Sequence, residues 1–159
     1  MSPAQRIESA SRYADRDMFK EAWQEMQAVP SEAKKTRRFL QLVASVAPSL
    51  GKWHDAAEAN RLLVSMEPTL LHWMCWGFSV RHSLGPLAAA RVWAEAARRH
   101  PQYTSYPYNY AAALCEAGRI GEARRALSDL IRHHPAIRDQ ALDDERFEPL
   151  TDMLIEDEE

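Results

Sequence analysis

The chain has 159 residues, 46% hydrophobic and 27% charged, a balance that excludes a disordered or low-complexity protein and suits one domain of ordinary size. The net charge of −3 is unevenly placed: the last nine residues hold five acids and no Lys or Arg, so the other 150 carry 20 bases against 18 acids. A nearly neutral body argues against a general nucleic-acid binder, and the stretch Ser65–Val80, broken by Glu67, Pro68 and His72, is too short and too polar to span a bilayer.

β-Branched residues are scarce while Ala, Leu, Arg, Glu and Gln are common, which favours helix. The opening MSPAQRIESASRYADRD has no apolar core, so no signal peptide is expected. Cys75 and Cys115 lie 40 residues apart without a Cys-x-x-Cys, which reads as two small buried hydrophobes in a cytoplasmic protein.

In chain order the elements fall into four units of about 34 residues: 3–36, 37–69, 70–103 and 104–135. Each has a first helix, a turn and a second helix anchored on an alanine: Ala22, Ala56, Ala89 and Ala123, spaced 34, 33 and 34 apart. Gly51, Gly85 and Gly118 mark three of the turns, where a helix end needs positive φ. Pro30, Pro68, Pro101 and Pro135 close the units, because proline cannot continue a helix. Pro30 follows its alanine by eight residues and the others by twelve, so the first unit's second helix is expected to be short. Pro48, late in the second unit's first helix, predicts a kink. The first helices repeat large, large, small, large at i, i+3, i+4 and i+7, as in Trp73, Trp76, Gly77 and Val80, or Leu40, Val43, Ala44 and Ala47. The small members Ala10, Ala44, Gly77 and Ala111 lie twelve residues before each anchor, so two small residues can meet where paired helices cross.

This pattern resembles the tetratricopeptide repeat (TPR). The resemblance is fullest in Trp73, Trp76, Gly77, Ala89, Trp93 and Pro101, and in Tyr108, Asn109, Ala111, Gly118, Ala123, Leu127 and Pro135. It is also carried by Leu40, Ala44, Gly51, Trp53, Ala56 and Pro68, and is weakest in the first unit, with Ala10, Tyr13, Phe19 and Ala22. It implies an all-α fold: a right-handed α-α superhelix, or solenoid, of four helix-turn-helix units over 3–135. Residues 136–155 depart from the repeat and resemble its capping segment, with Leu142, Phe147, Leu150 and Leu154 covering the last pair; 156–159 read as an acidic tail.

The sequence offers little chemistry. His72, Cys75 and His82 do not have a metal-ligand spacing and are read as two polar-face histidines and a buried thiol. Asp143, Asp144 and Glu145 read as turn and helix-start residues. There is no phosphate loop, nucleophile elbow or His-Glu-x-x-His, so neither catalysis nor a cofactor is expected. Lys34, Lys35, Arg37 and Arg38 read as a solvated face.

The resemblance implies instead a concave groove, lined by first helices, that binds a protein or peptide. The groove positions are Ile7 and Ser11; Arg38, Gln41 and Ser45; Met74, Phe78 and Arg81; and Tyr108 and Ala112. Ile7, Ser11, Gln41 and Ser45 stand where some TPR co-chaperones use Lys and Asn to grip a carboxylate, so a mixed apolar peptide fits better. The expected role is a non-catalytic adaptor or scaffold, with no nucleic-acid or membrane partner. The alternatives are a small cytoplasmic chaperone for a secreted or effector client and an RNA-binding helical repeat. The weak first unit leaves an end that a second copy could cover in a homo-oligomer.

Overall fold

A computed structural model describes residues 1–155; the expected acidic tail, 156–159, lies outside the described residues. Among them there are ten α-helices and no strand. They are α1 (Pro3–Ala14), α2 (Phe19–Gln27), α3 (Arg37–Val46), α4 (Trp53–Met66), α5 (Leu70–Leu84), α6 (Pro86–Arg99), α7 (Ser105–Glu116), α8 (Ile120–His133), α9 (Ile137–Leu142) and α10 (Thr151–Ile155). Short 3₁₀ turns cover Ala33–Lys35, Pro48–Leu50 and Glu145–Leu150. Consecutive helices pack in pairs, α1 with α2, α3 with α4, and α7 with α8.

Helix ends follow their local chemistry. Ser2 and Gln5 form a capping box ahead of α1, each side chain accepting from the other's backbone N–H, with Pro3 as the first helical residue. α2 has nine residues where α4, α6 and α8 have fourteen. Pro48 does not kink α3: the α-helix ends at Val46 and Pro48 opens the 3₁₀ turn, so the lost N–H falls where no α-helical bond is required.

One turn recurs three times. Gly51 (φ 68°) and Gly118 (φ 78°) adopt the left-handed conformation five residues before their anchor alanines. Asp17 (φ 58°) does the same ahead of Ala22. The next residue's N–H then closes on a first-helix carbonyl at 2.9 Å in each case: Met18 to Tyr13, Lys52 to Ala47, Arg119 to Leu114. Gly85 (φ 94°) instead caps α6 directly, with Pro86 behind it.

The chain divides into two compact units, Met1–Ser83 and Leu84–Glu159. In the first, Ala10, Ala22, Met26, Val46, Ala47, Ala56 and Leu63 form the core. In the second, α7 packs on both α6 and α8, and Trp93, Tyr106, Ala111, Ala123 and Leu127 are buried. All four anchor alanines are fully enclosed. Ala44 is only half-buried, because α3 turns Leu40, Val43 and Ala47 inward and leaves Ala44 at the margin.

The C-terminal segment closes the second unit. Phe147, Leu150 and Leu154 are buried as expected, but Leu142 is exposed and Ala141 takes the inward place on α9. Arg138 donates to the carbonyls of Met153 and Leu154, and Arg124 donates to both oxygens of Asp152, fastening α9 and α10.

Candidate protein-binding face

α5 is held along α4 by three contacts, one per level. Trp53 at the start of α4 stacks on His82 near the end of α5, ring centroids 4.1 Å apart. In the middle, buried Asn60 donates to Ser79 Oγ at 3.0 Å, and Ser79 donates on to the Cys75 carbonyl. At the far end His72 Nδ1–H donates to the Glu67 carbonyl at 2.7 Å. The sequence reading put His72 on a polar face; it is buried, and this bond satisfies its Nδ1. The Glu67 carboxylate also meets Arg37 at 2.7 Å, so the starts of α3 and α5 adjoin the same residue.

These contacts and Trp73, Gly77 and Val80 take the buried side of α5. Another stripe is only partly covered. Leu71 is 67% exposed and Phe78 43%, while Met74 and Cys75 between them are half-buried. The offsets i, i+3, i+4 and i+7 put the four on one helical face. Burial raises the Cys75 thiol pKa, and does the same for Cys115, so neither is an activated nucleophile. Cys75 is thus a weakly polar member of the stripe, more exposed than the sequence reading had it.

Separately, α1 and α3 enclose a hollow of about 220 Å³ lined by Ile7, Ser11, Arg38, Gln41, Leu42 and Ser45. Five of the ten residues read from sequence as groove positions therefore share one depression. Arg38 reaches across it to Glu8. Both partners are well exposed, so the pair contributes no more than about 1 kcal/mol and can reorganise around a ligand. Ser45 Oγ donates to the Leu42 carbonyl, and Gln41 presents its amide to solvent. Met74 and Phe78 lie on the α5 stripe, and Arg81 is half-buried one turn beyond.

Tyr108 and Ala112 are placed differently. Both are buried. Tyr108 donates from its hydroxyl to Asp144 at 2.8 Å, and Phe147 meets its ring edge-on at 5.2 Å. Arg146 forks onto Asp144 and donates to Asn109 Oδ1 at 3.0 Å. Burial, then the Asp144 carboxylate, push the Tyr108 pKa up. Burial pushes Asp144 up, but Arg146 and Tyr108 outweigh it and hold the carboxyl below its usual range. Around Tyr108 and Asn109, α7 is covered by the chain's own C-terminal segment. Leu71, Leu42 and Glu8 were missed from sequence; the period of 33–34 that aligns Gln41 with Met74 also aligns Arg38 with Leu71 and would have found the first of them.

Among the described residues no group of three His, Cys, Asp or Glu side chains converges to hold a metal, and no helix is long and apolar enough to cross a membrane. No protein-family model matches the chain, and no curated protein matches it.

Proposed function

We propose that the chain is a non-catalytic protein-interaction module, a TPR-like solenoid that binds a protein or peptide segment along the first helices of its first three pairs. The observation that carries this is the α5 stripe. Leu71, Met74, Cys75 and Phe78 form an apolar run on a helix whose other side is already fixed to α4. Large exposed aliphatic, methionine and aromatic side chains in contiguity are what contact surfaces use. The α1–α3 hollow supplies hydrogen-bonding groups that an extended backbone needs. Tyr108 and Ala112 drop out of the binding set, since the chain covers them itself.

The test is affinity capture from host lysate with the wild type beside Leu71→Glu/Phe78→Glu. Both positions are exposed, so circular dichroism and thermal midpoint are expected to match. The wild type is expected to retain a stoichiometric protein that the variant loses. Equal capture by both would remove the α5 face from the reading.

A further inference from the structure

We propose a second binding site, for an acidic peptide segment, on the outer face of α1. A hollow of about 580 Å³ opens there and is lined by Met1, Gln5, Ser9, Arg12, Tyr13 and Arg16. None of these lies on the α5 face or in the α1–α3 hollow. Two lining groups are guanidiniums and none is a carboxylate. Asp15 and Asp17 flank Arg16 in sequence, yet neither lines the hollow.

Many arginines elsewhere are held by a carboxylate; among the described residues Arg12 and Arg16 share with the exposed Arg91 and Arg125 the lack of one, and differ from those two in lining a common hollow. Glu95 takes both Arg98 and Arg99, Glu58 takes Arg61 and Glu122 takes Arg119, each within 3.0 Å. Arg6, three residues from Ser9 on the same helix, is paired to Glu25. Among the described residues neither Arg12 nor Arg16 forms an ion pair, although Asp15 and Asp17 flank Arg16 in sequence and Glu8 turns instead to Arg38. Arg12 stands in the last turn of α1 and Arg16 in the turn just beyond it, so an anion between them would meet two positive charges. A guanidinium offers a planar fork that matches a carboxylate, and two of them in line match two.

The shape selects the class of anion. From Gln5 to Tyr13 the hollow runs about 12 Å along α1 at 1.5 Å per residue, and Arg16 extends it into the turn beyond. A single phosphate would fill only the arginine end. An extended peptide of about five residues, at 3.3 Å each, fills the whole. Its acids would meet Arg12 and Arg16, and its backbone amides would meet the Gln5, Ser9 and Tyr13 side chains.

The probe is fluorescein-labelled hexaglutamate, with hexalysine as its control, followed by fluorescence anisotropy at 50 and 150 mM salt. Binding of hexaglutamate alone, weakened by salt, is expected. Arg12→Gln/Arg16→Gln is expected to weaken it at least tenfold. Arg91→Gln/Arg125→Gln removes two other exposed arginines and is expected to change it less than twofold. Inorganic phosphate at 10 mM is expected to displace little. Equal loss in both double variants would reveal a diffuse charge effect and overturn the site. Full displacement by phosphate would overturn the peptide assignment, and absence of binding at 50 mM salt would overturn both. None of these results bears on the α5 face, whose partner is scored separately.

Discussion

At the scale of single residues the fold is set by where side chains are small and where the backbone turns left-handed. Gly51 and Gly118 have nothing within 4 Å of where a Cβ would sit, so an alanine there meets no clash and bears only the conformational cost. Gly51→Ala is expected to lower stability by about 1–2 kcal/mol in urea titration. Asp17 holds the same conformation with a side chain, so Asp17→Gly is expected to raise stability, by up to about 1 kcal/mol after glycine's own chain entropy is charged. A loss in Asp17→Gly would mean that the aspartate side chain contributes a contact. The anchors make the complementary case. Ala89 and Ala123 are fully enclosed, and Ala89→Leu or Ala123→Leu is expected to overpack the crossing and cost about 1–3 kcal/mol in a thermal melt. The turn glycines, the anchors and the prolines that close the units were legible because each has one dominant physical use, whereas Pro48 opens a 3₁₀ turn where a kink was expected. Asp17 was not, because an aspartate in a turn also reads as an ordinary polar residue. His72 was not, because a buried ring satisfied by a backbone carbonyl leaves no trace in the side-chain pattern.

At the scale of elements the C-terminal segment shows how long-range contact defeats a repeat register. By period, Tyr108 corresponds to Met74 and Ala112 to Phe78. The register therefore assigns the α7 pair to the same face as the α5 pair, and helical spacing is right to do so. What it cannot convey is that a segment 36 to 39 positions later folds back over Tyr108, with Asp144 receiving its hydroxyl and Phe147 lying against its ring. The same contact makes a pH prediction. Asp144 is held below its usual range by Arg146 and Tyr108. A carboxyl with a depressed folded-state pKa binds more protons when unfolded, so its contribution is complete above the unfolded value of about 3.9 and is lost as pH falls through the lower folded value. The wild type should therefore lose stability below about pH 4 more steeply than Asp144→Asn, whose amide does not titrate. Denaturant titrations at intervals from pH 2.5 to 6 measure the two slopes. Parallel slopes would mean that Asp144 is equally favoured as an acid in both states.

At the scale of the whole molecule, two compact units imply that stability is held locally before it is held globally. Phe147 has its fixed neighbours in the second unit: its ring meets Tyr108, and its segment packs on α7 and α8. Phe147→Ala removes a ring that is 1% exposed and is expected to cost about 3–5 kcal/mol within that unit. In arrays of paired helices each pair leans chiefly on its neighbours, so the cost should appear first where the contact was made. Amide hydrogen exchange resolves this by position. Exchange is expected to accelerate most in α7, α8 and the segment 145–155, while α1, α2 and α3 keep their wild-type rates under mild conditions. If instead every helix accelerates by the same factor, the chain opens as one cooperative body and the loss at Phe147 is shared by all ten helices. The graded result has a functional corollary: the α5 face and the α1 arginines both lie in residues 1–83, so a protein weakened at Phe147 should keep both surfaces as long as its first unit stays closed.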